Sequence, residues 1–276
     1  SAAIPAKTIN RGKSNAIKAL SLALRRIAQA GVAYTLASIE GGVAANAIPS
    51  QASAVIVTAD EQAESSIKQA VQEEQAQIAE VYGSVETKAQ FVVTAAETGE
   101  GISEDDTKAV VNLLNILHCG VFAMNQMLPQ TAGFIGPTLG RFERKKTSSP
   151  FSTSRRASSD GRLREFALTL PVFAELSGLH IDLATPEPAW AENPKSKLVP
   201  LFADVYREEA GRDPRIEAMH GGLETGYLFS MNQNLDIISV GPTTHDIHSA
   251  DESVELDTVA LLTRIVAKAL GKTRQS

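Results

Sequence analysis

Four residues carry the side chains best suited to chemistry: Arg156, His220, Glu224 and His248. Two polar stretches hold three of them: Met219-His220-Gly221-Gly222-Leu223-Glu224-Thr225-Gly226, and Gly241-Pro242-Thr243-Thr244-His245-Asp246-Ile247-His248-Ser249-Ala250-Asp251-Glu252. A neutral imidazole in a polar turn suits a zinc ion, which makes His248 the metal-ligand candidate. The competing reading is a solvated loop histidine held by Asp246 or Asp251. His220 and Glu224 could meet a substrate amine, carboxylate or imidazole. Against that stand a strand-end histidine with a satisfied nitrogen, and a carboxylate stabilised at a helix N-terminus. A guanidinium can hold a terminal carboxylate through two parallel hydrogen bonds, so Arg156 is the candidate anion clamp, with a surface pairing to Asp160 as the alternative.

Positioning such groups requires a strand and turn ahead of each. Asp236-Ile237-Ile238-Ser239-Val240 is short, apolar and β-branched, a candidate core strand that ends in Gly-Pro. Delivery of polar side chains to one edge of a sheet is how α/β sites form. His245 lies three residues before His248, a spacing that does not grip zinc from an extended turn, and reads as incidental. His118 and His180 flank apolar segments and read as structural. Cys119 is the single cysteine, so no internal disulfide can form, and it reads as a buried small side chain.

The remaining elements follow from periodicity and capping. Ile17, Leu20, Leu24 and Ile27 predict a helix over 11–30 ending at Gly31, followed by strands 34–39 and 53–58. Asp60 is placed to cap a helix to about Val81, on which Glu73-Glu74 reads as a solvated pair. A strand is expected over 90–95. Ser103 should cap the next helix, with Glu104, Asp105 and Asp106 at the positive end of its dipole. Strands are expected at 131–139 and 150–157 about a basic connection. A helix over 163–176 should be kinked or shortened by Pro171, and a strand 179–184 follows it. Strand 53–58, helix 61–81 and strand 90–95 match strand 150–157, helix 160–176 and strand 179–184 in order, which suggests two strand–helix–strand halves on one sheet. Thr185 to Asn193 and Pro194 form the clearest linker, placing a boundary near 186. Beyond it come helix 195–210, strand 215–219, helix 223–231, strand 235–240 and a last helix over 257–270. Alternating helices and short strands predict an α/β layer.

With 276 residues, 43% hydrophobic and 21% charged, the chain has the composition of a soluble globular protein with one large or two ordinary domains. A net charge of -6 argues against a general nucleic-acid binder. No apolar run reaches membrane-spanning length. No signal peptide is read at the N-terminus, and the single cysteine fits a reducing, cytoplasmic setting.

The order of motifs resembles one family. His220-Gly221-Gly222-Leu223-Glu224-Thr225-Gly226, the run Asp236 to Thr243, and His248-Ser249-Ala250-Asp251-Glu252 resemble the aminoacyl-histidine dipeptidases (Xaa-His dipeptidases, peptidase D type) of the carnosinase and aminoacylase group of zinc exopeptidases. Ile9 to Ala16 and Glu40 to Pro49 extend the likeness upstream, over nearly the whole chain. The resemblance implies an α+β lid of antiparallel sheet and helices over 1–186, and the C-terminal part of an α/β catalytic domain over 187–276. It implies a two-zinc site in which His248 is a ligand, with Arg156, His220 and Glu224 facing a short peptide, and a homodimer formed through the lid. A two-zinc hydrolase needs about five ligands and a general base. The family supplies most of them ahead of the lid, so at most one ligand position falls in this chain.

Several positions depart from the family pattern, among them Ala157, which stands after Arg156 where members carry a serine. Ile4-Pro5-Ala6 stand where members carry His-Ser-Gly, whose histidine helps polarise the scissile carbonyl. Phe134 replaces a lid asparagine, and Ala45 an arginine. Loss of such donors commonly costs orders of magnitude in rate. The alternative expectation is therefore a non-catalytic dimerisation or peptide-binding module derived from such a peptidase.

Overall fold

The first helix begins where a capping side chain allows it. Asn15 sits in extended backbone and its carboxamide oxygen accepts the Lys18 N–H at 3.1 Å, so α1 runs Ala16–Gln29. Its buried face is Ile17, Ser21, Leu24 and Ile27, at helical spacing. Gly31, at φ +84, turns the chain out of it. The computed structural model describes residues 4–5, 14–42, 47–60, 62–85, 88–96, 100–124, 132–143, 151–157, 159–179, 187–191, 193–217, 223–245, 247 and 251–273.

In chain order the elements are β1 (Ile4–Pro5), α1, β2 (Thr35–Gly41), β3 (Ala47–Ile48), β4 (Ala52–Val57), α2 (Ala63–Tyr82), α3 (Glu104–Ile116), β5 (Val121–Met124), β6 (Ala132–Glu143), β7 (Phe151–Ala157), α4 (Asp160–Leu176), α5 (Leu198–Ala210), α6 (Glu224–Met231), β8 (Thr244–His245), β9 (Ser253–Val254) and α7 (Leu256–Thr273). The fold is α/β, with helices packed on an antiparallel sheet. None of the described helices is long and apolar enough to cross a membrane.

Five strands make the main sheet. β2 pairs antiparallel with β4 from Thr35↔Val57 to Gly41↔Ala52, and with the end of β6 at Glu40↔Glu143 and Gly41↔Phe142. β7 lies along β6 from Phe134↔Ala157 to Phe142↔Phe151. A strand has two edges, so β2 and β5 share the other edge of β6, β5 at its beginning and β2 at its end. β4 and β7, the opening strands of the two expected halves, thus belong to one sheet.

The helices cover this sheet through two apolar clusters. Ile17 and Leu24 of α1, Leu36 and Ile39 of β2, Val111 and Leu114 of α3, and Phe166 and Leu170 of α4 form the larger one. Ile27, Val32, Ala63 and Ala70 join α1 to α2. Polar ties fix the angles. The buried Thr107 hydroxyl of α3 accepts the Leu36 N–H of β2 at 3.0 Å. Lys18 of α1 donates to the Leu114 carbonyl at 3.1 Å, the Leu117 carbonyl at 3.2 Å and the Asn115 carbonyl, closing the C-terminal end of α3. Burial pushes the Lys18 ammonium below the usual lysine range, against an opposing pull from Cys119. A third, separate cluster is Val205 of α5 with Ile265 and Ala269 of α7.

Several expectations are corrected. Residues 90–95 join no sheet ladder, because the Gln75 carboxamide takes the Phe91 N–H at 2.8 Å and donates to the Ala89 carbonyl at 2.9 Å. Residues 235–240 are likewise outside any ladder, as are 215–217; 218–219 and the expected strand 180–184 lie outside the described residues. Asp60 does not cap α2 directly. Its carboxylate accepts the Gln62 N–H at 2.8 Å and forms the turn before the helix. Pro171 neither ends nor shortens α4, which begins at Asp160 under a Ser159 cap and continues to Leu176. Glu74 is buried and ion-paired rather than solvated. The sequence reading missed β5 and the short β1–β3 and β8–β9 pairs.

Candidate functional site

One carboxylate ties the start of α5 to the chain that follows α6. α5 has no capping side chain of its own at Lys197. Asp236, distant in sequence, supplies it: Oδ2 accepts the Lys197 N–H at 2.7 Å and the Leu198 N–H at 2.9 Å, while Oδ1 accepts from the Asn193 carboxamide at 3.5 Å. Burial by itself would raise the pKa of Asp236. The hydrogen bonds from Ser196, Leu198, Lys197 and Asn193 outweigh it and hold the carboxyl below its ordinary value. A negative charge at this end of α5 also suits the helix dipole.

From this anchor the chain passes through 237–243 into the β8–β9 hairpin, with Thr244 opposite Val254 and His245 opposite Ser253. The hairpin base is sewn to the start of α7. Thr243 N–H donates to the Thr258 hydroxyl at 2.9 Å, and Glu255 N–H to the Thr243 carbonyl at 3.0 Å. His245 Nε2 lies 2.8 Å from Glu255 Oε1, both side chains half exposed. The connection 246–252 carries His248, which lies outside the described residues.

Glu224 is the first residue of α6 and is exposed, where the dipole favours a carboxylate. Two residues on, Gly226 is buried, and a Cβ there would sit 2.6 Å from the Pro188 carbonyl oxygen. The next residue, Ala189, donates its N–H to Asp160 Oδ1 at 2.8 Å, at the start of α4. One series of contacts therefore runs from the exit of β7 through Asp160, Ala189 and Pro188 to the N-terminus of α6. Arg156 belongs to β7, opposite Ile135 of β6. The seam relates the strand of Arg156 to the helix of Glu224; His220 lies outside the described residues. Thr225 Oγ1, between Glu224 and Gly226, is buried with no hydrogen-bond partner among the described residues, and nothing in the sequence distinguishes it from an ordinary first-turn threonine.

Among the described residues no group of three or more His, Cys, Asp or Glu converges as a metal set. The described donors do not by themselves fit a metal centre.

An antiparallel sheet covered by helices is an α/β architecture. The sequence profile of peptidase family M20/M25/M40 matches residues 27–272. The fold superposes with TM-score 0.80 on the crystal structure of aminoacylhistidine dipeptidase from Vibrio alginolyticus, at 25% identity, over 96% of this chain and 54% of that one. The cytosol non-specific dipeptidase of Escherichia coli (strain K12) is 28% identical over 107 residues, which is 37% of this chain and 22% of that protein. The chain belongs to peptidase family M20/M25/M40. It spans about half the length of the solved relative and a smaller part of the curated one.

Proposed function

We propose that this chain is the lid and C-terminal portion of a metal-dependent dipeptidase of the aminoacyl-histidine type, which hydrolyses short peptides. The observation that carries the reading is the superposition of 96% of the chain on an aminoacylhistidine dipeptidase. In this reading residues 1–186 form the lid and 187–276 the returning part of the catalytic domain, a division supported by the separate apolar cluster of α5 and α7. A pair of zinc ions would supply the activated water, with His248 the ligand from this chain and the others outside it. The residues of this chain bind and orient substrate. Arg156 holds the peptide's terminal carboxylate, and His220 and Glu224 meet its polar groups. The working protein is a cytoplasmic homodimer joined through the lid.

A form that also contains the N-terminal half should bind about two zinc ions per chain and hydrolyse a Xaa-His dipeptide. Metal analysis and a hydrolysis assay on that form decide the matter. A metal-free, inactive protein would end this reading.

A second reading, a non-catalytic dimerisation or peptide-binding module, is favoured by Ile4-Pro5-Ala6, Ala45 and Phe134 in place of polar family residues. Phe134 stands in β6 between Ala123 of β5 and Ala157 of β7. Under this reading the reconstituted protein folds, dimerises and turns nothing over.

A further inference from the structure

Of the four helices that cover the main sheet, the two outer ones differ in character. α1 packs against α2 on one side and α3 on the other, and α4 lies beyond α3, so α2 and α4 are the outer pair. The outward side of α2 is polar. Glu64, Lys68, Gln72 and Glu80 are exposed on it, and Glu64 pairs with Lys68 at 2.5 Å. Its one exposed large apolar residue, Val81, stands in the last turn. α4 buries Leu163, Phe166, Leu170 and Ala174. On its other side Leu168, Val172 and Leu176 are 77%, 45% and 76% exposed. Their spacing of four lines them up along one face. An outer helix that meets only water has the composition of α2, whereas a continuous apolar stripe marks a covered face.

The charges beside the stripe identify what covers it. Successive helix residues turn by about 100°, which sets Arg164 and Glu175 on one flank of the stripe and Glu165 on the other. Glu165 is already held by Arg162 at 2.7 Å. Arg164 and Glu175 are exposed, and neither enters an ion pair with another described residue. A two-fold axis level with Leu170 puts Leu168 of one copy against the partner's Val172. The same axis brings Arg164 beside the partner's Glu175 on the shared flank, and symmetry makes that contact twice. The face therefore complements itself in both apolar contact and charge. An interface of one helix pair lies at the small end of the range, so the association is weak and depends on concentration.

We propose that the outer face of α4 is a homodimer surface, on which Leu168, Val172 and Leu176 pack across a two-fold axis and Arg164 pairs with the partner's Glu175. The proposal rests on the reading above for the homodimer's place in the working protein; the stripe and its flanking charges carry the surface itself.

Sedimentation velocity on the whole 276-residue chain tests it over about 1–100 μM. The mass should rise from one chain towards two across that range. Leu168→Glu should abolish the rise. Arg164→Glu sets carboxylate against carboxylate at both symmetric contacts and should weaken association at least about tenfold. Arg164→Glu combined with Glu175→Arg exchanges the signs and should restore association to within about threefold. Melting of the dilute chain should not fall in either charge variant, since both exchanges suit the α4 dipole. A chain that stays monomeric throughout overturns the proposal, and takes the lid homodimer with it. A dimer indifferent to these variants, or a double variant no better than the single one, overturns this face and leaves the lid homodimer standing. A monomer that needs Leu168 to bind the N-terminal half gives the face to that half, which also overturns the proposal. Hydrolysis by the reconstituted protein is scored apart: a dimer that obeys the charge exchange but turns nothing over keeps the surface and sinks the peptidase reading, while an active monomer does the reverse.

Discussion

Arg26 Nε donates to Glu74 Oε2 at 2.6 Å, an ion pair that ties α1 to α2. The Glu74 side chain is 1% exposed, while that of Arg26 is 30% exposed and also reaches the Gln77 carboxamide. The second carboxylate oxygen of Glu74 has no partner among the described residues. The burden of this pair therefore falls on the carboxylate. Removing its only strong counter-charge leaves an uncompensated buried anion, whereas removing the carboxylate leaves an arginine that water can reach. Arg26→Ala should cost about 3 kcal/mol, and Glu74→Ala distinctly less, about 1–2 kcal/mol. The double change to Met at both positions should recover most of the loss. Urea midpoints of the four proteins check the order. Equal losses for the two single variants would contradict it.

Asp236 makes stability depend on acid. Its folded pKa lies below the ordinary value, so the native state binds the proton less readily than the unfolded chain. The stabilisation is complete above the unfolded carboxylate value, about 3.9. It is lost as pH falls through the lower folded value. Asp236→Asn should remove this part of the acid dependence of melting, and Asp236→Ala should cost about 1 kcal/mol at neutral pH as a lost helix cap. Melting curves at several pH values between neutral and acid for the three proteins are the measurement. Much of the group is open to solvent, which keeps the effect small.

Gly226→Ala should reverse its usual sign. In an exposed helix the change gains about 1 kcal/mol. Here the new methyl meets the Pro188 carbonyl oxygen at 2.6 Å, and a backbone oxygen cannot swing aside. A net loss of about 1–3 kcal/mol is expected as α6 is pushed off the 187–191 segment. Exchange protection at Ala189, whose N–H is bonded to Asp160, should fall with it. A stabilised variant would show that the helix and the segment move independently.

In a hydrolytically active assembly, Arg156→Lys keeps the charge but loses the two-pronged geometry. KM for a dipeptide with a free carboxylate should rise about tenfold, the loss of roughly one charge-assisted hydrogen bond, with kcat changed little. His248→Ala should instead lower the bound metal per chain. Steady-state kinetics and metal analysis separate the two. An unchanged KM in the first variant removes Arg156 from substrate binding.

How far the sequence could be read depended on the range of the hydrogen bonds involved. Ser103 caps α3 from within three residues, so its position and the apolar spacing behind it sufficed for that helix, whereas apolar spacing alone located α1 and α4 and left their Asn15 and Ser159 caps unread. Glu224 could be placed at a helix start because a carboxylate suits the first turn. The motifs around His220 and His248 pointed to the peptidase family, because turn and polar residues stand next to one another in the chain. Tertiary structure alone decided the rest. Two segments of equal strand character, 52–57 and 235–240, differ only in whether β2 stands beside them. Glu74 and its neighbour Glu73 look alike in sequence and both reach Arg26 of α1, yet only Glu74 becomes buried. Asp236 caps a helix that starts far before it. A helix carries its hydrogen bonds within its own few residues, but a ladder, a buried ion pair or a distant cap needs a partner that only the folded chain brings near.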